Sequence, residues 1–219
     1  MGKLIYLDNA ATTPVRPEVE EVMQPYFCEK YGNPSGIYKM ASECRQALET
    51  VRKQIGKTLK VSAEEIYFTS GGTESDNWAI KSTAQRLKEK GKHIITSKIE
   101  HHAVLNSCAY LETQGFEVTY LDVDEWGCVR FDALQRAIRK DTILISIMYA
   151  NNEVGTIQPI GQIGKIAKEN DIFFHTDAVQ AYGQIPIDVK RENIHLLSAS
   201  AHKFNGPKGV GFLYIDKRV

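Results

Sequence analysis

The sequence predicts an α/β protein built on a mostly parallel sheet, and three observations carry that expectation. Short runs rich in Ile, Val and Phe alternate with longer segments of helical period, which is the order of repeated strand-helix-strand units. The run Ile143-Leu144-Ile145-Ser146-Ile147-Met148 is too apolar for a strand with one wet face and suits a central parallel strand covered on both sides. No stretch rich in Pro, Gly or Ser divides the 219 residues and no internal repeat is visible, so one continuous layered structure is the economical reading.

Taken in order, the first expected helix runs from Pro17, a residue suited to a first helical turn, to Lys30. The segment Tyr31-Gly32-Asn33-Pro34-Ser35-Gly36 reads as a loop, and a helix from Ala41 to Leu59 follows. Ser62-Ala63-Glu64-Glu65 has capping-box spacing. Strands are then expected at Ile66 to Thr69, His93 to Ser97, Glu117 to Leu121, Thr142 to Met148, Ile172 to Thr176, His195 to Ser198 and Gly211 to Ile215. Helices between them are expected at Thr73 to Lys90, His102 to Gln114, Asp132 to Arg139 and Ile160 to Asn170.

Lys plus Arg and Asp plus Glu both number 27, so the chain has no net charge with which to draw in nucleic acid or an anionic membrane surface. Nothing approaches the roughly 18 consecutive apolar residues of a membrane span. The N-terminus Met1-Gly2-Lys3-Leu4-Ile5-Tyr6 lacks the apolar stretch of a signal peptide, and Cys28, Cys44, Cys108 and Cys128 form no close pair of the kind zinc or redox motifs need. The expected setting is a reducing cytoplasm, without nucleic-acid or membrane partners.

In open parallel sheets ligands bind at the carboxyl ends of strands, and there the sequence places five polar clusters. Thr69-Ser70-Gly71-Gly72-Thr73-Glu74-Ser75-Asp76-Asn77 opens a helix. Its glycines and free amides can hold an anion, or Thr73 and Asp76 can simply form a capping box; the common nucleotide fingerprints are absent. Glu100-His101-His102 offers an imidazole for stacking or proton transfer, or a hydrogen-bonded structural pair. Ala150-Asn151-Asn152-Glu153-Val154-Gly155 is a polar turn that can cap the next segment or hold a ligand oxygen. Asp177, within His175-Thr176-Asp177-Ala178-Val179-Gln180, stands where an apolar strand stops and needs a cation or several donors. A protonated pyridine nitrogen is such a partner, worth about 1.5 to 3 kcal/mol. Lys203 lies among small residues in Ser198 to Gly211, where desolvation makes an amine a nucleophile.

Together with Tyr6-Leu7-Asp8-Asn9-Ala10-Ala11-Thr12-Thr13-Pro14, these clusters closely resemble the NifS/IscS-type cysteine desulfurases, class V aminotransferase-like enzymes of fold type I that depend on pyridoxal phosphate (PLP). The resemblance runs from about Leu4 to Ile215, with Ser70 to Asn77 and Asn151-Asn152-Glu153 favouring this branch over the SufS-like one. It implies a three-layer α/β/α large domain of the aspartate aminotransferase type over residues 15–219, an N-terminal arm over 1–14 that joins a small domain, and no C-terminal small domain in this chain. Lys203 resembles the catalytic lysine joined to PLP, Asp177 the carboxylate on the pyridine nitrogen, and His101 the catalytic imidazole stacked over the ring, which is also a candidate for proton transfer. Gln180 and Asn152 resemble residues near the ring hydroxyl, while Gly72, Thr73, Ser200 and His202 would hold the phosphate.

The implied reaction turns L-cysteine into L-alanine and leaves the sulfur as an enzyme persulfide for iron–sulfur cluster or thio-cofactor assembly, in a homodimer that serves acceptor or scaffold proteins. The family's sulfur-accepting cysteine lies on a loop well downstream, as does its carboxylate-gripping arginine, and both are expected to fall beyond Val219. Each of the four cysteines present is expected to be a buried small hydrophobe. Two other readings stand beside this one. A metal-dependent hydrolase would use His101, His102 and the His175-x-Asp177 pair as ligands, and a non-catalytic remnant would bind PLP without turnover.

Overall fold

The computed structural model describes residues 5–219. The expectation drawn from Met1 to Leu4 about a leader, and the first part of the arm expected over residues 1–14, lie outside the described residues.

One sheet contains β1 (Ile66–Thr69), β2 (His93–Ser97), β3 (Glu117–Leu121), β4 (Thr142–Ser146), β5 (Phe173–Asp177), β6 (Leu196–Ser200) and β7 (Gly211–Ile215). Their spatial order is β1-β7-β6-β5-β4-β2-β3. β3, β2, β4, β5 and β6 are parallel neighbours. β7 is antiparallel to both β6 and β1, because only ten residues separate it from β6 and a connection that short returns the chain in the opposite sense. β7 is therefore the one reversed strand, and the carboxyl ends of the other six share one edge.

Adjacent strand residues face opposite layers, as a period of two requires. Ile94, Leu144, Leu196 and Leu213 pack with α4 (Gly72–Leu87) and α5 (His102–Thr113) through Ala79, Ile80, Val104 and Leu111. Their neighbours Ile95, Ile145, Leu197 and Phe212 join the other cluster. That cluster is closed by Leu59 of α3 (Lys39–Leu59), Leu134 of α6 (Phe131–Ala137) and Ile163 and Ile166 of α7 (Ile160–Glu169). The result is the expected three-layer α/β/α fold with a mostly parallel sheet. No helix among the described residues is long and apolar enough to cross a membrane.

Several element boundaries differ from expectation. The helix expected from Pro17 to Lys30 is two, α1 (Pro17–Met23) and α2 (Pro25–Cys28), because Pro25 has no N–H to continue the ladder. The strand expected to reach Met148 ends its ladder at Ser146, although Ile147 and Tyr149 still donate to the carbonyls of His175 and Asp177. β5 and β6 start one residue later than expected and end at Asp177 and Ser200, so these polar residues are the last of their strands. α3 begins at Lys39, α4 stops at Leu87, and α6 stops at Ala137, where Ile138 turns extended. Ser62 N–H does donate to Glu65 Oε2 at 2.9 Å, capping a single 3-10 turn.

The expectation for the cysteines needs correcting at two positions. Cys44 and Cys108 are buried, whereas Cys28 is exposed on the short α2 and Cys128 is half-buried in a turn.

Candidate active site

At the carboxyl edge, five strand-end turns surround a cleft of about 550 Å³. Gly72, Thr73, His101, Asn152 and Asp177 line it, as do Gln180, Ser200, His202 and Lys203, so parallel topology brings together all nine residues singled out from sequence. The cleft also takes in Asp8, Asp76, Glu153 and the Ala10-Ala11 segment.

The anion-holding end is built by the turn between β1 and α4. Gly71 is the N-cap of a 16-residue helix at φ 151°, and a Cβ on Gly72 would stand 2.6 Å from Val179 Cγ2. A side chain there would have to displace the β5 turn, so the helix start stays bare and its free amides face the cleft. The capping box expected between Thr73 and Asp76 does not form, because both residues lie inside the helix. Glu74 instead takes the Ser70 N–H at 2.5 Å, and Thr69 and Ser75 share a hydroxyl contact at 2.8 Å.

Lys203 ends a 3-10 turn (Ala201–Lys203) directly after β6. Its Nζ donates to the carbonyl oxygens of Ala10 and, at 3.1 Å, Ala11. Gln180 Nε2 also donates to Ala10 O, at 2.9 Å. The N-terminal strap holding these carbonyls is stitched to the β6 turn: Thr13 N–H and Oγ1–H both donate to His202 O, and Asn205 N–H donates back to Thr13 Oγ1 at 2.8 Å. Burial lowers the Lys203 amine below its ordinary range, against the charges of Asp177 and Asp8. Burial likewise lowers His202, helped by the charges of Lys203 and Lys208.

The floor is anionic and dry. Asp177 accepts from the Val179 N–H at 2.9 Å, and burial raises its pKa against that bond and the charges of His101 and Lys203. Asp76 is buried beside it, with Oδ1 lacking any hydrogen-bond partner among the described residues. Burial, then the charge of Asp177, pushes Asp76 well above the usual carboxylate range. One oxygen of each carboxylate and one ring nitrogen of His101 lie within 4.8 Å of one another. His101 Nδ1 accepts from the Ala103 N–H at 3.1 Å, so the ring proton sits on Nε2. Behind His101, Glu100 is buried and accepts from Ser97 Oγ–H (2.5 Å) and the Met148 N–H (3.0 Å), joining the ends of β2 and β4. Burial pushes Glu100 up to about 8.

Of the metal-ligand set weighed from sequence, only His101 and Asp177 are brought together. His102 is exposed outside the cleft, and His175 is buried between Ser146 Oγ (2.8 Å) and Ser198 Oγ (3.0 Å), its pKa driven down to about 3 by burial. None of the four cysteines lines the cleft. The sequence pattern offers Asp76 only a capping role and gives Glu100 none. The signal for Asp76 was its place on the buried stripe of α4 with Ala79, Ile80 and Thr83.

This arrangement can hold a flat ring between His101 and a carboxylate floor, with a phosphate at the α4 start and an amine alongside. Among solved structures, a NifS-like protein superposes with a TM-score of 0.95 at 45% identity, covering 98% of this chain and 60% of that one. SspA in complex with cysteine gives 0.94 at 46% identity, covering 97% and 61%. The cysteine desulfurase IscS of Methanosarcina thermophila is 64% identical over 218 residues, which are 100% of this chain and 54% of that protein. That of Dictyoglomus turgidum is 60% identical over 217 residues, covering 99% and 55%. The chain thus spans about half the length of the curated relatives it matches. Residues 5–219, all that the structure describes, match aminotransferase class-V, and the chain belongs to that family.

Proposed function

We propose that this chain carries the PLP site of a cysteine desulfurase, a sulfurtransferase that converts L-cysteine to L-alanine. The observation that carries the reading is the meeting of Lys203, Asp177 and His101 in one cleft with a bare helix start. The residues present fit the cofactor. Asp177 accepts one hydrogen bond, from the Val179 N–H, in a buried floor that lacks a hydrogen-bonded cation among the described residues, and a pyridine N–H would supply the missing donor and charge. Gly72 lets the start of α4 pack against Val179, where a Cβ would clash, and so keeps its amides bare for the phosphate.

When bound, PLP supplies an electron sink for negative charge developing at the substrate Cα. Asp177 would keep the ring nitrogen protonated, His101 would stack on the ring, and Gln180 and Asn152 would contact its hydroxyl region. Gly72 and Thr73, with Ser200 and His202, would hold the phosphate. Lys203 Nζ, already lowered by burial, is the covalent anchor and the base that takes and returns the Cα proton. In the net reaction L-cysteine and an enzyme thiol give L-alanine and an enzyme persulfide; the thiolate forms the S–S bond as the substrate C–S bond breaks. The acceptor thiol is assigned to none of Cys28, Cys44, Cys108 or Cys128, which lie away from the cleft.

Residues 15–219 form the cofactor domain in this reading, with residues 1–14 an arm towards a small domain. The working protein is a cytoplasmic homodimer passing sulfur to iron–sulfur scaffold or other acceptor proteins. The cytoplasmic setting is supported by four free thiols among the described residues.

Purified protein given PLP is expected to develop a visible absorption band and a borohydride-trapped adduct at Lys203, both lost in Lys203→Ala. No band and no adduct in the native sequence would overturn the cofactor assignment. Because no cysteine faces the cleft, the 219 residues alone should release little or no alanine from cysteine. Robust persulfide formation on one of the four thiols would reverse that assignment.

A further inference from the structure

We propose that Lys208 supplies the positive charge that holds the cofactor phosphate, a proposal that rests on the PLP reading above. The groove at the α4 end of the cleft, about 400 Å³, shares Gly72, Thr73, Ser200 and His202 with it and adds Lys208 at its mouth. A phosphate monoester carries close to two negative charges at neutral pH. Gly72, Thr73 and Ser200 offer only neutral donors. His202, held below its ordinary pKa, is uncharged at neutral pH, and the Lys203 amine is turned to the Ala10 and Ala11 carbonyls.

Lys208 is the remaining cation of the groove, and it makes no hydrogen bond or ion pair with any other described residue. The one acidic side chain there, Glu74, is bound to the Ser70 N–H. The chain brings Lys208 to the mouth by a tight return between β6 and β7, with Gly209 at φ 79° and Ala201 N–H donating to Val210 O at 3.0 Å. A second observation points to an anion here. Ser200 is 4% exposed, and its Oγ, 3.6 Å from where a Cβ on Gly71 would stand, has no hydrogen-bond partner among the described residues. The unpartnered hydroxyl of a buried serine that lines the groove beside free helix amides, with an unpaired ammonium at the opening, is a donor set matched to a phosphate.

The test is a binding titration of native protein, Lys208→Gln and Lys208→Arg with PLP and with pyridoxal, which lacks the phosphate. Lys208→Gln is expected to weaken PLP about five- to twentyfold and leave pyridoxal unchanged, and Lys208→Arg to retain most of the PLP affinity. Equal losses for both compounds, or no loss for PLP, would overturn the role of Lys208 while leaving the PLP site standing. Native protein that binds neither compound would remove the PLP site and the role of Lys208 together.

Discussion

Two groups of buried carboxylates sit at opposite edges of the same sheet, and they are treated in opposite ways. At the amino edge of the parallel strands, Asp216 accepts from Lys190 Nζ (3.0 Å), Arg218 Nε (2.8 Å) and the Arg218 N–H (3.0 Å), and Lys190 also reaches Glu65. The Arg218 bonds hold Asp216 far below the usual carboxylate range. At the carboxyl edge, Asp76, Glu100 and Asp177 are as deeply buried, yet no Lys or Arg is within ion-pair distance among the described residues, and two of their oxygens have no partner. Burial raises all three. The first group is finished by the fold. The second is left short of a cation, which is the condition of a site that expects one from a ligand.

Substitutions at the two edges should therefore separate stability from binding. The largest stability effect is expected at Glu100. Its folded pKa of about 8 lies above the ordinary glutamate value, so the native state binds the extra proton and stability falls as pH rises from about 4.5 to 8. Glu100→Gln should remove that slope, matching native protein below about pH 4 and exceeding it by a few kcal/mol at about pH 8 in urea titrations. Parallel pH profiles for the two proteins would mean that Glu100 is ionised in the fold and that the contrast is wrong there. Next, Asp177→Asn should weaken PLP binding by about 1.5 to 3 kcal/mol while the melting temperature holds or rises. A fall in melting temperature with PLP binding intact would make Asp177 structural, like Asp216. The smallest effect is expected from Asp216→Asn. It should cost about 1 to 2 kcal/mol, since Lys190 and Arg218 are half-solvated, and leave PLP affinity unchanged. That loss should shrink as pH falls through the acid range below about 4, where the unfolded chain already protonates its aspartates.

The sheet was legible because apolar runs such as Thr142 to Ser146 and Gly211 to Ile215 leave few alternatives once covered on both faces. The ends of β5 and β6 were harder, since Asp177 and Ser200 look like turn residues until the fold buries them. The break at Pro25 was readable in principle and was outweighed by the helical pattern on either side. Eight of the nine candidate residues are marked by side-chain chemistry and Gly72 by having no side chain, and parallel topology brings them to one cleft. What could not be read are the Ala10 and Ala11 carbonyls that hold Lys203, because a backbone acceptor has no signature in residue type.

The strap that carries those carbonyls fixes the order in which the protein can be finished. Thr13 meets His202 and Asn205 across about 190 residues of chain, and β1 finds its partner β7 only when Ile66 can lie opposite Tyr214. Loop closure on that scale comes late in folding and slows it. At 5–20 residues per second, a ribosome needs roughly ten to forty seconds to deliver the distal partners after the strap has emerged. The newborn N-terminal segment spends that interval with Ile5, Tyr6 and Leu7, exposed even in the folded chain, and has no sheet to dock on. Synthesis thus runs past Asn205 before the strap can close over the cleft.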